Sequence, residues 1–219
     1  WNWDGDEFDD EAADQAPPLP AGALFQTGPQ GRLNKVTLSP DGTLAAGAGG
    51  DGKVRVWRVE GAKLDREIAA HTPVCCDVRF APDGKTLFTG GGSAGRGGQG
   101  GDASARQWDA ATGKQLRSFE GHTGDVRSVA CAPNGLRLAT ADSAGVRVWD
   151  VKTGKQLSLL AGHKVEGLAV PEAWTLHIDA LVFAPDSRTL ITEANDVTAR
   201  VWDALSGKEI RMVPHHDGA

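Results

Sequence analysis

Residues 121–163 read GHTGDVRSVACAPNGLRLATADSAGVRVWDVKTGKQLSLLAGH, and this stretch decides the fold. Short runs of aliphatic and β-branched residues, separated by turn-forming sequences, predict strands at 126–131, 136–140, 146–148 and 156–160. The turns are Pro133-Asn134-Gly135 and Thr153-Gly154-Lys155, because proline fixes φ and glycine accepts a positive φ. The stretch therefore predicts a four-stranded antiparallel meander.

The same pattern occurs four times along the chain. A tryptophan near the end of each third strand is followed by a turn that ends in lysine, and these tryptophans are Trp57, Trp108, Trp149 and Trp202. They lie 51, 41 and 53 residues apart, which is the period of one propeller blade per repeat. A proline also opens the turn between the first two strands of each repeat, at Pro40, Pro82, Pro133 and Pro185. One such sheet cannot bury both faces alone, so the repeats are expected to stack.

This pattern resembles the WD-repeat family of β-propellers over residues 21–219. The resemblance implies an all-β fold of four four-stranded antiparallel blades, at about 28–70, 71–121, 122–162 and 163–214, with a preceding outer strand at 23–27. Propellers of this family usually close with about seven blades. Because the chain begins at Trp1 without a methionine, we expect a piece of a longer protein. Completion by a second chain and an unusual compact closure are the alternatives.

The resemblance also implies a buried hydrogen-bond network in each blade, formed by a His, a hydroxyl residue, an Asp and the Trp. The matching sets are His71, Thr89, Asp102 and Trp108; His122, Thr140, Asp142 and Trp149; and His163, Thr192, Asp196 and Trp202. The first repeat has only Asp51 and Trp57, with Ala46 at the hydroxyl place, and Asp142 is displaced by one residue. We expect looser local structure at these two departures.

A His beside an Asp and a hydroxyl is also the pattern of nucleophilic catalysis. Here the set recurs blade after blade with its Trp, whereas an active site needs one asymmetric copy. We therefore predict that these side chains are structural, that the protein is not an enzyme and that it needs no cofactor. A propeller hydrolase or lyase is the less favoured alternative.

The net charge of −6 comes mainly from one segment of the chain. Residues 1–20 hold seven acidic residues and no basic residue, and the remaining chain carries 22 acidic and 23 basic residues. A body so close to neutral does not favour nucleic-acid binding. The acidic segment is interpreted as a solvated linker, and the alternative is a docking peptide anchored by Trp1, Trp3 and Phe8.

Other features of the composition bear on the compartment. The sequence has no run of about 18 apolar residues and no signal-peptide pattern, so a soluble, cytoplasmic protein without membrane contact is predicted. The three cysteines, Cys75, Cys76 and Cys131, are odd in number and fall in predicted first strands, which favours buried thiols over disulfides. A zinc site of His71, Cys75 and Cys76 is disfavoured, since the spacing matches no common zinc pattern.

Two insertions distinguish the repeats from one another. Residues 90–102, GGGSAGRGGQGGD, lengthen the second repeat, and residues 164–177, KVEGLAVPEAWTLH, lengthen the fourth. The resemblance implies that both emerge on the recognition face, together with residues near the start of the first strands. The partner-binding candidates are Arg32, Asn34, Arg96, Gln99, Asp125, Arg127, Trp174, His177 and Asp179. Neutral drift of surface loops is the alternative explanation of the insertions.

These inferences together predict a noncatalytic scaffold for protein–protein interaction. It would present a loop-rich propeller face to a protein or peptide, as the sensor or targeting part of a larger protein. An architectural subunit of a multiprotein complex is the alternative, since repeat folds carry many unrelated functions.

Overall fold

The computed structural model describes residues 32–93, 101–164 and 176–214. The acidic segment 1–20, the predicted strand at 23–27 and the candidates Arg96, Gln99 and Trp174 lie outside the described residues. Within the described residues the chain forms sixteen strands, arranged as four antiparallel sheets in chain order. The predicted all-β fold of four four-stranded repeats is thereby confirmed.

Each sheet is a simple meander in which consecutive strands are hydrogen-bonded neighbours. Sheet 1 consists of β1 (Leu33–Leu38), β2 (Leu44–Gly49), β3 (Lys53–Arg58) and β4 (Lys63–Ala69). Sheet 2 consists of β5 (Val74–Phe80), β6 (Thr86–Gly92), β7 (Ala105–Asp109) and β8 (Gln115–Phe119). Sheet 3 consists of β9 (Ser128–Cys131), β10 (Arg137–Asp142), β11 (Gly145–Asp150) and β12 (Gln156–Leu160). Sheet 4 consists of β13 (Ile178–Phe183), β14 (Thr189–Ala194), β15 (Thr198–Asp203) and β16 (Glu209–Pro214).

The residue after each turn proline closes the turn between the first two strands. In sheet 4 the Asp186 carboxylate accepts hydrogen bonds from the backbone N–H groups of Arg188 and Thr189, both at 2.8 Å. In sheet 3 the Asn134 side-chain oxygen accepts from the Leu136 N–H at 3.0 Å. These side chains mimic a backbone turn, which explains why Asp or Asn follows the proline in every repeat.

The Asp after the tryptophan holds the next turn in sheets 2, 3 and 4. Asp150, for example, accepts hydrogen bonds from the Thr153 N–H and hydroxyl, both at 2.7 Å. Sheet 1 has Arg58 at this position, and its chain continues instead through a short 3-10 turn at Glu60–Ala62. The Trp-Asp pair therefore combines a core residue with a turn residue.

Each sheet packs on its neighbours in chain order. We call the side facing the preceding sheet the front face and the side facing the following sheet the rear face. Three apolar clusters fill the junctions, one for each consecutive pair of sheets. At the junction of sheets 2 and 3, Phe88 and Phe119 of one rear face meet Val129, Leu138 and Trp149 of the next front face. The core is thus divided into layers between sheets, as stacking repeats require.

Candidate functional site

A cavity of about 550 Å³ opens where the first strands of the four sheets begin. Its lining residues are Arg32, Asn34, Lys35 and Gly50 of sheet 1, Val74, Cys76 and Ser93 of sheet 2, Asp125 and Arg127 of sheet 3, and Ile178 and Asp179 of sheet 4. Five of the predicted partner-binding residues are among them, namely Arg32, Asn34, Asp125, Arg127 and Asp179. Because all four repeats contribute to its wall, this cavity is the candidate functional site.

β-Bulges aim several side chains into the cavity. The strand pairing shifts register between Leu33 and Lys35 in β1, between Cys75 and Asp77 in β5 and between Ile178 and Ala180 in β13. The extra residues are Asn34, Cys76 and Asp179, and all three line the cavity. An extra residue bends the strand and re-aims its side chain, which explains this shared placement. Arg127 lies at the equivalent position of sheet 3, two residues before Val129, which pairs with Thr140.

Hydrogen bonds between neighbouring sheets fix the cavity wall. Asn34 Nδ2 donates to the backbone oxygen of Cys75 at 2.9 Å and so joins sheet 1 to sheet 2. The Asp125 carboxylate accepts from the backbone N–H of Ser93 at 2.9 Å and from its hydroxyl at 3.0 Å, which joins sheet 2 to sheet 3. Arg127 forms an ion pair with the same carboxylate at 3.2 Å. Polar groups held in this way are preorganised for binding.

Charge is distributed unevenly around the cavity. Arg32 and Lys35 place two cations on the wall formed by sheet 1, and Asp179 places an exposed carboxylate on the wall formed by sheet 4. The Asp125–Arg127 ion pair lies on sheet 3, and its two opposite charges largely cancel. The cavity therefore has one cationic and one anionic side, suited to a ligand that carries both signs of charge.

The three cysteine thiols, of which Cys76 lines the cavity, are poor nucleophiles. Burial raises the pKa of Cys76 to about 11, with the nearby Asp125 carboxylate adding to the effect. Burial also raises the pKa of Cys75, and it raises the pKa of Cys131 to about 12. The thiolate is the reactive form, so these cysteines carry little nucleophilic reactivity at neutral pH.

His177 is the one described candidate that does not line the cavity. It is half-buried just before β13, where its backbone N–H donates to Asn195 Oδ1 at 2.8 Å. Its backbone oxygen accepts from the Asn195 N–H at 3.0 Å. The position therefore anchors the entry to sheet 4 through its backbone.

The structure brings each of the three predicted polar networks together. In sheet 2, Trp108 Nε1 donates to Thr89 Oγ1 at 2.9 Å, and His71 Nε2 lies 2.7 Å from the same oxygen. The Thr89 hydroxyl proton therefore points to Nε2. The His71 Nδ1 proton is then donated to Asp102 at 3.0 Å. Both ring nitrogens of His71 are occupied by these bonds.

The networks of sheets 3 and 4 follow the same plan. In sheet 4, Trp202 Nε1 donates to Thr192 Oγ1 at 2.9 Å, His163 Nε2 lies 2.6 Å from that oxygen, and His163 Nδ1 lies 2.9 Å from Asp196. In sheet 3, Trp149 Nε1 donates to Thr140 Oγ1 at 2.7 Å.

The displaced Asp142 still reaches the network of sheet 3. Its carboxylate lies 3.3 Å from His122 Nδ1 and accepts from the Thr123 N–H at 2.9 Å. Burial acts to raise its pKa, but the hydrogen bonds from His122 and Thr123 and the charge of Arg147 outweigh it and lower the pKa to about 2.

Burial controls the charge state of two network histidines. It lowers the pKa of His71 to about 4, against the opposing effect of the Asp102 carboxylate. Burial likewise lowers the pKa of His163, although Asp196 favours the charged form. These imidazoles are therefore neutral at pH 7 and act as fixed hydrogen-bonding links.

Each network contains an arginine that the sequence analysis missed. It lies two residues before the tryptophan, at Arg55, Arg106, Arg147 and Arg200. Arg106 and Arg147 pair with the network aspartates at 2.7 and 2.8 Å, respectively. The recurrence of an arginine two residues before every tryptophan could have indicated this structural role. A solvent-exposed strand position would not be expected to carry the same charge in all repeats.

In sheet 1 this arginine takes the place of the missing histidine. Arg55 donates to both oxygens of Asp51, at 3.2 and 2.6 Å, and its Nε donates to Glu67 at 2.8 Å. Burial acts to raise the pKa of Asp51, but the hydrogen bond from Arg55 prevails and lowers it. A two-point guanidinium–carboxylate pair is directional and strong, so it holds this end of the sheet without an imidazole.

In sheet 1, Gly47 occupies the position at which the other sheets carry the network threonine. The expectation that Ala46 occupies it was wrong by one residue. Val36 pairs with Gly47 just as Val78 pairs with Thr89. A side chain at Gly47 would begin 3.0 Å from the ring atoms of Trp57, so the indole occupies the space of the hydroxyl.

The fold and its polar networks define the class of protein to which this chain belongs. The stacked four-stranded sheets with repeated Trp-centred networks define a repeat protein of the propeller type. A family model described as "WD domain, G-beta repeat" matches residues 23–58, 62–109 and 113–150, which is more than half of the chain. The chain therefore belongs to the WD-repeat family, and the resemblance seen in its sequence is confirmed.

Two similar proteins are β subunits by name. The guanine nucleotide-binding protein G(I)/G(S)/G(T) subunit beta-1 of Homarus americanus is 29% identical over 100 residues, covering 44% of this chain and 26% of that protein. The guanine nucleotide-binding protein subunit beta of Lymnaea stagnalis is 30% identical over 100 residues, again covering 44% and 26%. The match thus spans about a quarter of each relative's length.

Among the described residues, none of the elements is a helix of the length and apolar character needed to cross a bilayer.

Proposed function

We propose that this protein is a noncatalytic interaction scaffold that binds a protein or peptide segment in the cavity at the start of its first strands. The observation that carries the proposal is the convergence of non-repeated side chains from all four sheets, three of them at β-bulges, on one polar cavity. Binding surfaces on repeat folds are usually built in this way, from variable positions on a constant framework.

The distribution of charge defines the segment that suits this cavity. A peptide with an acidic side chain would place it toward Arg32 and Lys35, and a basic side chain would lie toward Asp179. Complementary charges chiefly give specificity and orientation, whereas apolar contact with Val74 and Ile178 would add affinity.

A binding role also agrees with the chemistry of the site. The His, Asp and hydroxyl side chains of each network hydrogen-bond to one another within their sheet. The raised pKa of Cys76 leaves its thiol protonated at neutral pH. The two similar proteins are subunits by name, which supports a role within a protein assembly. We propose a cytoplasmic location as well, since the free thiols of Cys75, Cys76 and Cys131 suit a reducing compartment.

The test uses a random peptide library displayed on phage and selected on the 219-residue chain. Synthetic copies of the selected peptides are then measured by fluorescence anisotropy against wild type, Arg32→Glu and Asp179→Lys. We expect at least tenfold weaker binding to both variants, because each reverses a charge on the cavity wall. Lys85→Glu is the matched control, since Lys85 is an exposed cation in the turn at the opposite end of sheet 2. Peptides that bind wild type and both cavity variants equally would contradict the proposal.

A further inference from the structure

A second cavity, of about 360 Å³, lies between sheets 2 and 3 at the end opposite to the candidate functional site. Thr86, Phe88 and Gln107 line it from sheet 2, and Pro133 and Val151 line it from sheet 3. We call it the inter-sheet groove. Both of its walls belong to internal sheets, whose other faces are already covered by sheets 1 and 4. Its volume is within the range of about 300–1,000 Å³ that is typical of ligand sites.

The proline turns of neighbouring sheets meet at the other two junctions. Between sheets 1 and 2, a carbon added at Gly84 would lie 3.5 Å from Pro40 Cδ. Between sheets 3 and 4, the Ser187 hydroxyl accepts a hydrogen bond from the Asn134 N–H at 3.1 Å. A carbon added at Gly135, the equivalent of Gly84, would meet no atom within 4 Å. The turn of sheet 3 therefore stands clear of the turn of sheet 2, and the junction is open there.

One small side chain accounts for this opening. Thr86, Leu44 and Arg137 are equivalent, because each pairs with the residue directly after the tryptophan of its sheet. Leu44 packs on the apolar cluster between sheets 1 and 2, and Arg137 Nη1 donates to the Ser187 backbone oxygen at 2.7 Å. Thr86 is shorter than both, and its hydroxyl donates back to Asp83 in its own turn at 3.3 Å. The space that a long side chain fills at the neighbouring junctions is left to the inter-sheet groove.

Gln107 brings a polar group to the wall of the groove. Its equivalents one residue before the tryptophan are Val56 and Val148, which are fully buried. Among the described residues, the Gln107 side-chain amide has no hydrogen-bond partner. An amide offers one acceptor oxygen and a donor NH₂ group, which together match the hydrogen-bonding groups of a peptide backbone.

The groove also has a charge of one sign. Among the described residues that line it, only Asp83 is charged, and it lies exposed at the rim. Its field reaches the junction, because burial raises the pKa of Cys131 in sheet 3 to about 12 and the Asp83 carboxylate adds to this effect. The apolar contacts available inside include Pro133 and Val151. The groove thus combines an apolar space, a backbone-like amide and an anionic rim.

We propose that the inter-sheet groove binds a short segment of a partner protein in which an aliphatic side chain stands beside a basic one. The aliphatic side chain fills the space that Leu44 fills between sheets 1 and 2, and the segment's backbone bonds to the Gln107 amide. The basic side chain lies toward Asp83, which supplies the complementary charge. This site is separate from the candidate functional site and does not depend on the function proposed for it.

The experiment is a titration of the ¹⁵N-labelled 219-residue chain with acetyl-Leu-Arg-amide, followed by heteronuclear NMR. Saturable shifts are expected for the Gln107 side-chain NH₂ signals and the Gly135 N–H. Thr86→Leu introduces the residue that sheet 1 carries as Leu44, so the chain should fold and the probe should bind at least tenfold more weakly, because the leucine fills the groove. Thr189→Leu is the matched control, since Thr189 has the equivalent position in sheet 4 and should leave binding unchanged. An absence of saturable shifts, or equal binding to Thr86→Leu, overturns the proposal.

A second pair of measurements tests the charge of the rim. Acetyl-Leu-Glu-amide should bind wild type at least fivefold more weakly than the arginine probe, and Asp83→Asn should remove this preference. Asparagine is the residue that sheet 3 has at the same turn position, where Asn134 Oδ1 accepts the Leu136 N–H, so the turn is kept. Arg32→Glu should not alter the shifts, because Arg32 lies at the candidate functional site. Equal binding of the two probes, or shifts that are lost in Arg32→Glu and kept in Thr86→Leu, overturns the proposal.

Discussion

Replacing Thr140 by valine separates the hydrogen bonds of the polar network from the shape of the side chain. Thr140 is fully buried, and its hydroxyl oxygen accepts from Trp149 Nε1 at 2.7 Å and lies 3.0 Å from His122 Nε2. Valine has nearly the same shape, so the packing is kept while both partners lose their hydrogen bond. Each buried polar group left unpaired costs about 1–3 kcal/mol.

The extra buried methyl group of the valine offsets about 0.8 kcal/mol of this cost. We therefore expect Thr140→Val to lower the free energy of unfolding by about 3 kcal/mol. Thr140→Ser is the control, because it keeps the hydroxyl and removes one methyl group at a cost of about 1 kcal/mol. Urea unfolding followed by tryptophan fluorescence and far-ultraviolet circular dichroism measures both variants. A valine variant no less stable than the serine variant would refute the hydrogen-bonding role.

Lowering the pH from 6.5 to 4 should cost the fold about 3 kcal/mol through His71, because its folded pKa of about 4 lies below the unfolded value of 6.5 and only the unfolded chain binds the proton in this window. A urea unfolding midpoint that falls no further for the wild-type chain than for His71→Gln over this pH range would contradict this prediction. Gly52→Ala should destabilise the chain by more than about 2 kcal/mol, since φ is +78° and the added carbon would meet the His71 backbone oxygen at 2.2 Å. Gly42→Ala has a similar φ of +72° and open space, so an equal loss there would assign the effect to φ alone. Cys76 should react with iodoacetamide at pH 7 about a hundredfold more slowly in the folded chain than in urea, because its pKa is about 11 rather than 9.0. Equal rates would show that the thiol is not protected.

Local sequence signals predicted the framework of this protein well. The spacing of the four tryptophans, the proline turns and the Thr-Gly-Lys turns each depend on a few neighbouring residues, and strands follow from the apolar runs between them. The polar networks were predictable for the same reason, since their members repeat at matching positions. Thr89, Thr140 and Thr192 all lie in the second strand, where the structure places them beside the tryptophan.

The resemblance to the family gave Asn34 and Asp179 as residues of this face, but the sequence did not single out Cys76. Whether Asn34, Cys76 or Asp179 points inward depends on a register shift between two strands, and a shift of one residue turns a side chain to the other face. The structural role of Arg55 was missed because a charged residue in a strand usually indicates solvent exposure. It is buried here, with Asp51 and Glu67 as its partners.

Comparison of equivalent positions shows how one framework supports a specific site. The four tryptophans are identical, and three of the four hydroxyl places carry threonine, because these residues meet the same surroundings in each sheet. The four equivalent positions at the cavity are Asn34, Cys76, Arg127 and Asp179, which present an amide, a thiol, a guanidinium and a carboxylate. Stability of the sheets places no common demand on these four side chains, since all four line the cavity, and Asn34 differs from the others in its bond to the backbone of sheet 2. Their differences therefore set the polarity of the site, and substitutions there should alter what binds before they alter how the chain folds.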